Sequence, residues 1–127
     1  MVSIRVLLAD DHVLFRSSVA ACLSVEPGIE LVGEAGDGAQ ALELARSLRP
    51  DVVLMDISMP RMDGLEATRR IKAELPGVRV LVLTVCESRR SRFAALDSGA
   101  DGFLPKTVPP RVLLAALRGV ARDRPSR

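Results

Sequence analysis

The chain has 127 residues, 48% of them hydrophobic and 27% charged, with a formal net charge of +2. That is the make-up of one ordinary globular domain with a single core, and it excludes a disordered chain and a strongly basic nucleic-acid binder. No run reaches the ~18 apolar residues of a membrane span, and Met1-Val2-Ser3-Ile4 lacks the basic-then-apolar pattern of a signal peptide, so the expectation is a soluble, cytoplasmic protein.

Apolar runs and helical patterns alternate five times along the chain. Ile4 to Ala9 predicts a first strand, and Val13 to Val25 a helix burying Phe15, Val19, Cys22 and Leu23 before Glu26-Pro27-Gly28 breaks it. Ile29 to Ala35 predicts the second strand. Gly36-Asp37-Gly38 then turns into a helix with Ala41, Leu42, Ala45 and Leu48 on one face. Val52 to Met55 is a near-continuous apolar run, as in a strand buried on both faces. The third helix, Gly64 to Glu74, repeats Leu65, Thr68, Ile71 and Leu75, and Pro76-Gly77 stops it. Val78 to Thr84 predicts strand four, and Ser88 to Ser98 a helix ended by Gly99 as a left-handed cap. Gly102-Phe103-Leu104 is a short fifth strand. Pro109 to Ala121 is a last helix with proline in its first turn. Residues 122 to 127 are polar and contain Pro125, the pattern of a linker or tail. Five βα units joined by short loops predict a single α/β domain over residues 1–121, a doubly wound five-stranded parallel sheet of the flavodoxin-like type.

Chemistry gathers where these strands end. The first strand runs into Asp10-Asp11 and the third into Asp56; strands four and five lead to Thr84 and Lys106. The carboxyl edge is where open α/β sheets place their sites. Asp10 capping the first helix and Asp11 lying solvated would explain that pair alone. Asp56 at the matching place favours instead an all-oxygen site for Mg²⁺ or Mn²⁺, because adjacent carboxylates repel unless a cation neutralises them. Asp56 then reads as a nucleophile for a phosphoryl group, with the Thr84 hydroxyl and the Lys106 amine serving its oxygens. Cys22 and Cys86, far apart and without CxxC spacing, read as two buried reduced thiols.

Four segments carry a resemblance: Leu7-Leu8-Ala9-Asp10-Asp11-His12, Leu54-Met55-Asp56-Ile57-Ser58-Met59-Pro60-Arg61-Met62-Asp63-Gly64-Leu65-Glu66, Leu83-Thr84, and Gly99-Ala100-Asp101-Gly102-Phe103-Leu104-Pro105-Lys106. In order and spacing, from about Ile4 to Ala121, the chain resembles the receiver domain of bacterial two-component response regulators. Asp10-Asp11-His12 followed by Leu14-Phe15-Arg16 is similar to the NarL/FixJ type, which usually carries a LuxR-like helix-turn-helix domain. The resemblance implies a phosphoprotein that takes phosphate on Asp56 from a sensor histidine kinase. It also implies Mg²⁺ held by Asp11, Asp56 and the Ser58 backbone carbonyl, with Asp10 acting through a metal-bound water. Thr84 and Phe103 would be the switch, and the fourth helix, fifth strand and fifth helix the output face. A homodimer through that face or through the first and fifth helices is implied too, with DNA reached only through a C-terminal domain outside this chain. A stand-alone receiver in a phosphorelay, or one docking on a protein, is the alternative.

Some residues depart from that pattern. Val85 stands where the family usually has a small residue, which predicts tighter access to Asp56, and Ser58 and Cys86 flank the site where phosphoryl lifetime is tuned. Phe103 has no hydroxyl, so its switch would rest on packing. Arg89, Arg90 and Arg92 occupy a helix start that is acidic in many relatives, and read as a solvated basic face before a partner patch. Leu114 and Ala121 widen the apolar stripe of Val112, Leu113, Ala116, Leu117 and Val120, a hint of a dimer contact. An enzyme turning over external substrates is not expected, because Ser58 stands where aspartyl-phosphate phosphatases place a second acid. The first βα turn has no GxGxxG for a dinucleotide, and the scattered basic residues do not form a DNA-binding surface.

Overall fold

A computed structural model describes residues 3–59, 61–85 and 88–122. Strands and helices alternate as β1 Ile4–Ala9, α1 Val13–Ser24, β2 Ile29–Ala35, α2 Gly38–Leu48, β3 Val52–Asp56, α3 Gly64–Glu74, β4 Arg79–Thr84, α4 Arg89–Asp97, β5 Gly102–Pro105 and α5 Pro110–Arg122. All the pairings are parallel and the spatial order is β2-β1-β3-β4-β5, the doubly wound, flavodoxin-like arrangement.

Side-chain alternation explains why the central strands are apolar on both faces. Leu7, Ala9, Val53, Met55, Val80 and Val82 point to one face, where they pack with Ala41, Leu42, Ala45, Ala67, Ile71 and Ala95 of α2, α3 and α4. Val6, Leu8, Val52, Leu54, Leu81 and Leu83 point to the other, against Val19 and Leu23 of α1 and Leu113 and Leu117 of α5. Two cores thus clamp one sheet, and every residue of β3 is buried.

Helix ends follow capping chemistry. Asp37, Asp63 and Ser88 each accept a backbone N–H three residues on, at the start of α2, α3 and α4. Gly99 closes α4 with φ of 98°, the left-handed turn expected of it. The first helix is capped by a residue to which the sequence reading gave no such role. Its cap is His12, whose Nδ1 accepts from Phe15 N–H at 3.2 Å, so Asp10 is not occupied in capping.

Three further details depart from the sequence reading. Phe15 and Cys22 are half-buried, because α1 leaves a cavity between itself and the start of α5; Cys86 lies outside the described residues. Leu114 and Ala121 pack against their own core, which accounts for at least part of the widened stripe on α5. Helix α5 runs through Arg122, one residue beyond its predicted end, and residues 123–127 of the expected tail lie outside the described residues.

Gly64 fixes how α3 leaves the site. A Cβ there would stand 2.0 Å from the Asp56 carbonyl oxygen and 2.6 Å from Ile57 Cα, both backbone atoms that cannot step aside. Gly64→Ala is expected to lose about 2–3 kcal/mol of stability by overpacking, despite alanine's better helix propensity. Gly77→Ala, where a Cβ meets nothing within 4 Å, should stay within about 0.5 kcal/mol of the parent. Urea midpoints of the two variants check this; equal midpoints would contradict it.

Candidate functional site

Parallel register brings four strand ends level. Ala9 lies opposite Met55, Asp56 opposite Leu83, and Thr84 opposite Pro105. Asp10, Asp56, Thr84 and Lys106 therefore emerge at one edge of the sheet. That edge flanks the point where the chain, having placed β2 on one side of β1, places β3 on the other. Such a reversal of strand order opens a crevice in α/β sheets.

Asp10 is fully buried and firmly placed. Its N–H donates to Ala35 O at 3.0 Å, its Oδ1 accepts from His12 N–H at 2.8 Å, and Arg16 donates to its backbone carbonyl at 2.8 Å. Its second oxygen is different. Oδ2 lies 2.6 Å from Lys106 Nζ as an ion pair, yet no donor is aligned on it as a hydrogen bond.

Carboxylate oxygens of Asp10, Asp11 and Asp56 all lie within 4.8 Å of one another. Asp11 is exposed, and Asp56 is only 5% exposed. Burial first, and then the charge of Asp10, push the Asp56 carboxyl up from 3.8 to about 6; Lys106 and the Ser58 N–H pull the other way. Ser58 N–H reaches Asp56 Oδ1 at 3.4 Å and Lys106 Nζ reaches it at 3.6 Å, both long contacts. Three converging carboxylates facing one ammonium form a donor set that suits a hard divalent cation.

Thr84 is buried at the end of β4, and its carbonyl accepts from Lys106 N–H at 2.7 Å. That bond ties the backbone of the hydroxyl-bearing residue to that of the amine-bearing one. Phe103 lies within β5, packed against the α2–α4 face, with the Arg92 guanidinium 5.5 Å from its ring centroid. The solvated-face reading holds for Arg89, Arg90 and Arg92, which are all exposed, and Arg92 in addition lies over an aromatic ring.

A cleft of about 320 Å³ opens onto this cluster, lined by Asp11, His12, Asp56, Ser58 and Lys106 with Phe15 and Val85. Val85 is 78% exposed at its rim. The structure thus brings together the expected Asp10, Asp11, Asp56, Ser58, Thr84 and Lys106, while Phe103 stands two residues back along β5. Sequence reasoning did not assign His12 as a cap, Arg16 as a brace on Asp10, or Phe15 as a cleft wall. The signal was the spacing Asp10-Asp11-His12-x-x-Phe15-Arg16, which puts all three on the first turn of α1 beside the carboxylates.

Comparison with known proteins gives the family. Residues 6–118 match the model of the response regulator receiver domain. The chain is 42% identical over 118 residues to the nitrate/nitrite response regulator protein NarP of Escherichia coli, covering 93% of this chain and 55% of that protein. It is 40% identical over 120 residues to the response regulator protein VraR of Staphylococcus aureus, covering 94% and 57%. The chain thus spans about half the length of the curated relatives it matches. The signal receiver domain of the putative response regulator NarL from Mycobacterium tuberculosis superposes with a TM-score of 0.94 at 37% identity, covering 98% of this chain and all of that one. Fold, acidic cluster and sequence therefore agree: the chain belongs to the response regulator receiver domain family, among receivers of the NarL/FixJ type.

Proposed function

We propose that this chain is a phospho-accepting switch in which Asp56 takes a phosphoryl group from a sensor histidine kinase in the cytoplasm. The observation that carries this reading is a buried Asp56 with two carboxylates and one ammonium converging on it. In the transfer, an Asp56 carboxylate oxygen forms a bond to phosphorus. The P–N bond to the donor imidazole breaks, and its electron pair leaves on the nitrogen. The product is an acyl phosphate on Asp56, later hydrolysed by water, so the chain is the acceptor and not an enzyme for external substrates.

Asp11, Asp56 and the Ser58 carbonyl would hold Mg²⁺ or Mn²⁺, with Asp10 acting through water; the convergence of the three carboxylates supports that assignment. When bound, the ion would neutralise the carboxylates and draw charge from the transferring group. Lys106 then donates to one phosphoryl oxygen and the Thr84 hydroxyl to another. Acyl phosphate adds about −1.5 to −2 charge where Asp56 carried one negative charge at most, which draws Thr84 and Lys106 inward and biases the packing of Phe103. Output runs through the α4-β5-α5 face. The NarL/FixJ resemblance supports a homodimer, through that face or through α1 and α5, and DNA contact by a helix-turn-helix domain outside these residues.

Acetyl phosphate with Mg²⁺ should give a band retarded in Phos-tag electrophoresis, lost both in Asp56→Asn and in EDTA. If no band moves and beryllofluoride also fails to bind, the phospho-switch reading falls.

The raised pKa of Asp56 yields a second expectation. Below pH 3.8 the carboxyl is protonated folded or unfolded and contributes nothing to pH dependence. Between 3.8 and about 6 the folded chain holds a proton that the unfolded chain has released, so stability falls as pH rises through that window. Above it the ionised carboxylate costs on the order of 3 kcal/mol at most. Asp56→Asn removes this titration. Its stability relative to the parent should grow between pH 4 and pH 6 and level off above, in metal-free buffer. Urea unfolding at pH 5 and pH 7.5 measures it, and an equal difference at both would count against an ionised, unneutralised Asp56.

A further inference from the structure

We infer that Phe15 is a positioning residue for Lys106: its ring face holds the ammonium in place as it passes from Asp10 to a phosphoryl group on Asp56. The inference rests on the phospho-acceptor reading for its consequence and on geometry for its existence. Lys106 Nζ lies 4.4 Å from the Phe15 ring centroid, 2.6 Å from Asp10 Oδ2 and 3.6 Å from Asp56 Oδ1. Only 11% of the lysine side chain is exposed, so the contact is largely screened from water, where a cation over an aromatic face is at its strongest.

Two spaces meet at this pair. One is the acidic cleft over Asp56; the other is an apolar cavity of about 140 Å³ between α1 and the start of α5, bounded by Val19, Leu83, Val108 and Leu113. Phe15 and Lys106 line both, and together form the wall between them. Lysine has a flexible four-carbon stem and one compact charge. Without the ring, the cavity gives that stem room to leave the cleft, and water gains a path to the ammonium.

The carboxylate contacts cannot hold Lys106 through the reaction by themselves. Asp10 engages it as a close ion pair, but the phosphoryl group arrives on a different carboxylate. An aromatic face neither titrates nor changes charge during the transfer. Its attraction is the one that persists while the ammonium moves between the two aspartates.

Lys72 and Lys106 are the chain's two lysines, and Lys72 is held elsewhere by Asp101 at 2.9 Å, so it serves as an internal reference. In protein labelled with ¹³C-lysine, the Lys106 ε-CH₂ protons should resonate upfield of those of Lys72 through the Phe15 ring current. Phe15→Leu, which keeps the apolar bulk, should abolish that displacement without moving Lys72, and Phe15→Tyr should restore it. Initial phosphorylation by acetyl phosphate with Mg²⁺ should slow roughly tenfold in Phe15→Leu and recover in Phe15→Tyr. In a Lys106→Ala background, Phe15→Leu should slow it no further. An unmoved Lys106 signal, an undiminished rate in Phe15→Leu, or equal losses with and without Lys106 would each overturn the inference. If no form takes up phosphate and beryllofluoride also fails to bind, the proposed function fails, and the lysine spectrum alone decides whether the clamp exists.

Discussion

Three carboxylates held within 4.8 Å of one another are the constraint around which this molecule is built. Left to itself such a group would disperse, because like charges this close raise one another's pKa and favour any conformation that separates them. Dispersal is blocked by the sheet. Asp10 and Asp56 are the residues at the ends of adjacent central strands, and neither can retreat without breaking a ladder whose side chains are buried on both faces. Burial at that edge, and after it the charge of Asp10, shows instead as the raised carboxyl of Asp56. One ammonium, Lys106, stands against three acids, a balance that leaves the cluster receptive to further positive charge.

Holding that arrangement requires rigid approaches as well as rigid strands. The loop from β3 to α3 carries Ser58, and it is pinned from both sides. At its far end Gly64 lets the backbone lie directly on the Asp56 carbonyl. At its middle, Arg61 adopts a left-handed φ of 68° and reaches across to Asp37, the cap of α2, at 2.7 Å. Gly38 beside that cap allows Met62 O to approach where a Cβ would stand 1.8 Å away. On the other side of the site, Arg16 braces the carbonyl of Asp10 and pairs with Glu34 of β2. The ion pairs at Asp37 and Glu34 involve partly exposed groups, and each contributes little stability. What they add is direction, by fixing where the two acidic loops point.

The sheet and the gathering of the site were legible in the sequence, because both depend on simple periodicities. Apolar runs of four to six residues separated by helical patterns with Gly and Pro breaks admit few topologies, and parallel strands bring their carboxyl ends to one edge without any side chain being specified. Asp10, Asp11, Asp56, Thr84 and Lys106 follow from that rule. What escaped was set by contacts across elements. Nothing in the local pattern around Phe15 distinguishes a core aromatic from one turned half out to meet Lys106, ninety-one residues further along. The contact of the exposed Arg92 with Phe103 was hidden because its partner lies on a different element. His12 was passed over as a cap because imidazole is a rare choice beside Ser, Thr, Asp and Asn; its use frees Asp10 for the site. Leu114 and Ala121 looked surplus to one helix face, whereas both pack, partly buried, against the core on the α1–α5 side of the sheet.

The short β5 links the charged edge to the opposite side of the molecule. Within four residues, Gly102–Pro105, it carries Phe103 into the α2–α4 face and Leu104 into the α1–α5 face, and it delivers Lys106 directly to the site. Its end is tied to β4 by the Lys106 N–H on Thr84 O. Under the proposed reading, a phosphoryl group on Asp56 pulls at both ends of that tie at once. The restraint on the far side is weak by comparison. Phe103 is only partly buried, and the Arg92 contact at a surface position is worth about 0.5–1 kcal/mol. Charge-assisted hydrogen bonds to a phosphoryl oxygen are each worth about 1.5–3 kcal/mol. A bias of that size exceeds the Arg92 contact, without approaching the energy that keeps the buried strands in register. Under the proposed reading, such an imbalance would let one edge of a fixed sheet report to a helix across it, through a shift in populations and without unfolding anything between.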